Sequence, residues 1–134
     1  MSFSTQLLGQ LEPFRNRNEV LVYDQSVGDI INAILATHDK YREQYNIIYP
    51  YFKGETPEET ARNVFNYLKK NTKYVIEPEE LQTVRSPSAI IATANKDTVG
   101  IDCKNYSLFI NGILDAERRN ELEDYDLYYR FASY

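Results

Sequence analysis

Gly100-Ile101-Asp102-Cys103-Lys104-Asn105-Tyr106-Ser107 reads as the end of a loop and the first turn of an apolar helix. Asp102 is a good N-cap, because its carboxylate can accept the free backbone N–H groups of the first turn. Cys103, Tyr106, Ile110, Ile113 and Leu114 then share one face, and Leu108 and Phe109 widen it. A helix apolar over more than half its circumference belongs at the centre of a domain. Arg118-Arg119-Asn120 suits its C-terminus. A thiol at the start of such a helix meets the positive end of the helix dipole, which favours the reactive thiolate. Cys103 is the only cysteine, so no internal disulfide forms.

Upstream, Ser86-Pro87 opens a shorter helix through Ala89, Ile90, Ile91 and Ala94. Asn95-Lys96-Asp97 breaks it, and Gly100 supplies a hinge. Leu81–Arg85 reads as a loop or short extended piece, and Lys73-Tyr74-Val75-Ile76 as a short extended segment. Thr56-Pro57-Glu58-Glu59 is the clearest helix start, with an N-cap, Pro at the first helical position and Glu at the third. Its stripe is Ala61, Val64, Phe65 and Leu68. The longest helix is expected over 26–46, or on towards Tyr49, with Val27, Ile30, Ile31, Ile34, His38, Tyr41 and Tyr45 in the three-four spacing and Pro50 arguing for its end. Glu19–Tyr23 reads as a short strand or extended lead-in, and Leu7, Leu8, Leu11 and Phe14 as a helical turn or a packed arm. Downstream, Asp126–Tyr134 is aromatic and strand-like, and a lone strand needs a partner.

The length of 134 residues suits one domain, 1–134, able to bury a core without disulfides or metal. Apolar residues at 43% and charged residues at 26% are those of an ordinary soluble chain. The balance of 15 basic against 20 acidic residues argues against a nucleic-acid surface. No secretory leader or membrane-spanning run is present, which makes a cytoplasmic protein the default expectation. Twelve Tyr, six Phe and no Trp imply many half-buried tyrosines. The expected fold class is α+β: mostly helical, with the Cys103 helix at the centre and a small or incomplete antiparallel sheet.

Three pieces together resemble the transglutaminase-like superfamily of papain-related cysteine enzymes. They are the helix and extended segment Val64–Tyr74, the segment Gln82–Pro87 leading to Gly100-Ile101-Asp102-Cys103, and Tyr128–Tyr134. The resemblance covers 56–134 as the N-terminal portion of the core, and leaves 1–55 as a family-variable helical extension. It implies that Cys103 is the nucleophile of an acyl transfer or hydrolysis, with a protein or peptide substrate and no cofactor or metal. The family's His and Asp lie on strands after the counterpart of Tyr134. The chain also lacks the tryptophan that many members carry in the first helix, and has Lys104-Asn105 where many have acidic residues. A free thiol ionises near ~8.5, and without an imidazole nothing protonates a leaving amine. The expectation is therefore a nucleophile-bearing portion that is inactive as this chain: part of a longer enzyme, a degenerate relative, or half of a site completed elsewhere. The alternative is a non-catalytic binding or structural module that retains the fold.

Each candidate also has a plainer reading. Cys103 could be a small buried hydrophobe. Gln82 could support an oxyanion, though a glutamine bonding backbone is the simpler assignment. His38, the only histidine, reads as a boundary or surface helix residue rather than a base. Asp102 is explained by capping, and Glu121, Glu123, Asp124 and Asp126 as a solvated loop.

Overall fold

The computed structural model describes residues 2–13, 20–23, 27–78, 82–94 and 99–129. Six α-helices and one two-stranded antiparallel sheet make up the described part. The helices are α1 (Phe3–Leu11), α2 (Val27–Lys40), α3 (Arg42–Ile48), α4 (Pro57–Asn71), α5 (Pro87–Ile91) and α6 (Cys103–Glu121). The strands are β1 (Val20–Tyr23) and β2 (Gln82–Arg85), with Leu21 opposite Val84.

The caps follow the sequence. Thr56 accepts the Glu59 N–H at the start of α4, Ser86 accepts that of Ala89 at α5, and Asp102 accepts that of Asn105 at α6. The helix expected over 26–46 is two helices. Tyr41 sits between them at φ −106°, ψ 18°, off helical geometry, although apolar spacing runs straight through it. The α-helical geometry ends at Ile48, just short of Pro50, which lies in a short 3-10 turn at Tyr49–Tyr51. Of the expected aromatic strand, 126–129 carries no strand, and 130–134 lies outside the described residues.

α6 is the axis, packed by α3, α4 and α2. Its core face takes in only part of the stripe that starts at the cysteine. Leu108, Phe109, Ile113 and Ala116 are fully buried, whereas Cys103 is exposed and Tyr106 and Ile110 are half-buried. The main core joins Phe109 and Ile113 to Tyr45 and Ile48 of α3, Val64 and Leu68 of α4, and Leu7 and Leu11 of α1. A smaller cluster under the sheet holds Ala33, Ile34, Val84 and Leu108, with Tyr129 against it.

α3 reaches α6 over Gly112, where any Cβ would fall on the Tyr45 ring. That ring is fully buried. Gly100 has the same role elsewhere: its φ is ordinary, but a Cβ would sit 2.6 Å from the Lys73 carbonyl oxygen and against Val75. It is a close-approach glycine rather than a hinge. Its neighbour Ile101 completes a parallel bridge with Tyr74, through Val75 N–H to Ile101 O and Ile101 N–H to Lys73 O, both 2.9 Å.

Replacing Gly112 with Ala tests the α3–α6 approach. An alanine in mid-helix gains up to about 1 kcal/mol of helix propensity, while overpacking costs about 1–3 kcal/mol. Gly112→Ala is predicted to lower unfolding stability in urea. An unchanged or raised midpoint would show that the Tyr45 ring can move aside.

Candidate functional site

The first turn of α6 is fastened by a polar cluster on three sides. Asn105 is fully buried. Its carboxamide accepts the Arg85 N–H at 3.0 Å and donates to the Thr83 carbonyl at 3.1 Å and to Asp102 at 3.0 Å. One side-chain amide thereby occupies the edge of β2 as a neighbouring strand's peptide would. Glu77 takes the remaining outward N–H of that edge, from Thr83, at 2.8 Å, and the Thr83 hydroxyl at 2.6 Å. Lys104 bridges Glu77, at 2.7 Å, and Asp102. Burial pushes the Glu77 carboxyl up, but bonds from Lys104 and Thr83 outweigh it and hold it below its ordinary value. Lys104 and Asn105 therefore fix the loop and strand to the helix.

Cys103 projects from this fastened turn into an open cavity of about 460 Å³. Phe65 and Lys69 of α4, Tyr74, and Tyr106, Ser107 and Ile110 of α6 line the rest of it. Tyr106 is the common wall, edge-on to Phe65 at 6.1 Å and to Tyr74 at 5.7 Å. The Tyr74 hydroxyl is held above its ordinary value, first of all by charge on the Cys103 sulfur. The bridge to Ile101 sets Tyr74 beside the thiol. Reading the sequence missed Tyr74 and Phe65 as site residues. Phe65 counts in the apolar stripe of α4, yet it is 44% exposed while Val64 and Leu68 are fully buried. The Cys103, Tyr106, Ile110 stripe was the available signal; Tyr106 and Ile110 pack against the core and also line the cavity.

Gln82 lies in β2, and its amide nitrogen donates to the Glu77 and Pro78 carbonyls at 3.1 and 2.8 Å. Both amide hydrogens are thus committed to backbone, which is the plainer of its two readings. Among the described residues no group of three or more His, Cys, Asp or Glu side chains could hold a metal. Nor is any described helix long and apolar enough to cross a membrane.

His38 is not a surface histidine. It is 8% exposed, with Nε2 3.0 Å from Asp115 Oδ2 and Nδ1 2.7 Å from the Tyr129 hydroxyl. Asp115 also accepts from Arg118 and Arg119 at 2.9 Å. Asp115 is twelve residues beyond Cys103 on α6. That separation is about 18 Å along the axis. The chain's one imidazole and its carboxylate partner therefore form a structural cluster away from the thiol. It fastens α2 and the segment before Tyr129 to α6.

Burial alone would push the Asp115 carboxyl up; hydrogen bonds from His38, Arg119 and Arg118 overcome it and hold it at about 2. A carboxyl depressed in the fold stabilises above its unfolded value, near ~3.9, and the contribution disappears as pH falls through the folded value. Asp115→Asn is predicted to lower stability by on the order of 2 kcal/mol at neutral pH. The gap between variant and parent should shrink below about pH 4. A gap independent of pH in urea titrations would contradict the assignment.

Comparison of the chain with protein-family models, with curated proteins and with solved structures finds no match.

Proposed function

We propose that this chain is the nucleophile-bearing portion of a transglutaminase-like cysteine fold, with Cys103 in the acyl-accepting position. The observation that carries the reading is an exposed thiol at the first turn of the central helix, opening on an apolar cavity whose wall includes Tyr74 and Tyr106. The cavity suits an apolar side chain beside a carbonyl, as in a protein or peptide substrate. Turnover is not expected from the described residues, because His38 is engaged by Asp115 and Tyr129. An acyl group reaching Cys103 would meet no imidazole to activate water. The same engagement favours a second reading, a non-catalytic binding module in which the cavity is kept and the chemistry is not.

An activated ester separates the two. With 4-nitrophenyl acetate, the sulfur attacks the carbonyl and an S–C bond forms. The C–O bond breaks, 4-nitrophenolate leaves with its electron pair, and the thiol proton passes to buffer. The prediction is one equivalent of nitrophenolate, a mass increase of one acetyl group at Cys103, and slow turnover thereafter. Cys103→Ser should abolish the burst. Tyr74→Phe, which removes a hydroxyl from the wall of the same cavity, should slow iodoacetamide labelling of the native protein by about three- to tenfold. Labelling only after unfolding would sink the nucleophile reading, and rapid steady turnover would sink the claim that a base is missing.

A further inference from the structure

A second cavity, independent of Cys103, lies where α4 faces the N-terminal helix and the 3-10 turn. Its volume is about 470 Å³, within the range of small-molecule sites. One side is α4, where Asn63, Asn66, Tyr67, Lys70 and Asn71 follow the spacing of a single helical face. Such a stripe is ordinarily apolar or strongly helix-forming. Asparagine is a poorer helix former than Ala, Glu or Lys, because its side chain competes for the backbone. Asn63 and Asn66, in the interior of α4, are therefore not explained by helix stability, whereas Asn71 is its last residue.

Two of them are held in place. Asn63 Nδ2 donates to the Phe52 carbonyl and Asn71 Nδ2 to the Tyr67 carbonyl, both at 2.9 Å. Each keeps its carbonyl oxygen and one amide hydrogen. Asn66 and Lys70 have no hydrogen-bond or ion-pair partner among the described residues. The opposite wall is aromatic: Phe3 and Tyr51 have ring centroids 6.2 Å apart and are 38% and 37% exposed. Phe3 is braced edge-on by Phe52 at 5.5 Å and by Tyr67 at 5.6 Å. The Tyr67 hydroxyl is tied to Ser4 at 2.6 Å. The aromatic wall is thereby set before any ligand arrives.

We infer that this cleft binds a mono- or disaccharide. A pyranose has an apolar C–H face that packs on aromatic rings, and a rim of hydroxyls that both donate and accept. Carboxamides with one free hydrogen and one free oxygen answer both demands. Asn63 and Asn71 are eight residues apart, about 12 Å along the helix, enough for two sugar rings. A phosphorylated ligand would want more cation than Lys70 supplies. A wholly apolar one would leave the amide stripe desolvated and unpaired.

The test is a titration of the full chain with cellobiose, N-acetylglucosamine and glucuronate, followed through the side-chain amide resonances of its asparagines by NMR. Millimolar, saturable shifts at Asn63, Asn66 and Asn71 are expected with at least one of the three. Asn66→Ala should weaken that binding by about three- to tenfold without changing the melting temperature. Tyr51→Leu, which removes the stacking ring, should weaken it as well. The inference is overturned if none of the three sugars gives saturable shifts, or if both variants keep parental affinity. It is also overturned if the tripeptide Gly-Tyr-Gly saturates the cleft and the sugars do not.

Discussion

The contact on which the rest of the architecture depends is the seating of the Tyr45 ring on Gly112. A helix of 19 residues becomes the centre of a domain only if its neighbours can approach on several sides. At Gly112 the missing Cβ lets α3 close until the Tyr45 ring lies against the α6 backbone. That ring then faces Phe109 at 6.2 Å in the main core and His38 at 6.0 Å on the other side. One aromatic residue thus joins the apolar core to the polar cluster around Asp115. The break at Tyr41 belongs to the same arrangement: α2 and α3 pack on α6 as two separate segments.

Below this core the problem is different, because a two-stranded sheet of four-residue strands cannot stand alone. Its β2 edge is closed by side chains rather than by a third strand. Asn105 and Glu77 take the outward backbone groups of Thr83 and Arg85. The bonds that finish the sheet are those that orient the first turn of α6. Cys103 points outward because the next two residues, Lys104 and Asn105, are committed inward. An unpaired strand edge also invites association with other chains, and here it is covered by groups that need partners themselves.

Local chemistry was legible wherever it is short-range. The N-caps Thr56, Ser86 and Asp102 each depend on a few adjacent residues, and all three cap the helices that their patterns imply. What periodicity could not supply is which apolar face meets the core. Cys103, Tyr106, Ile110 and Ile113 share a stripe, but of these four only Ile113 is fully buried, beside Leu108 and Phe109 on the side that Gly112 opens to α3. Nor does spacing reveal pairings across many residues, such as Asn105 with Thr83 or His38 with Asp115 and Tyr129. Those bonds satisfy buried polar groups whose cost appears only once the chain is folded. The break at Tyr41 was hidden for the same reason, since the apolar spacing continues on both sides of it.

One helix carrying both a thiol and a histidine-bound carboxylate makes their separation a rigid quantity. Twelve residues of α-helix set Cys103 and Asp115 about 18 Å apart and roughly 120° around the axis. No side-chain rotation closes such a distance, and bending α6 would break the core that Phe109 and Ile113 hold together. Moving His38 to the thiol would leave Asp115 buried beside its arginines without the imidazole, and would release Tyr129 from the cluster below the sheet. The histidine is therefore spent on architecture, and its bond to Asp115 helps keep α2 on α6. Any chemistry at Cys103 must draw on its own cavity: two tyrosine side chains, a lysine on the wall, and apolar surface.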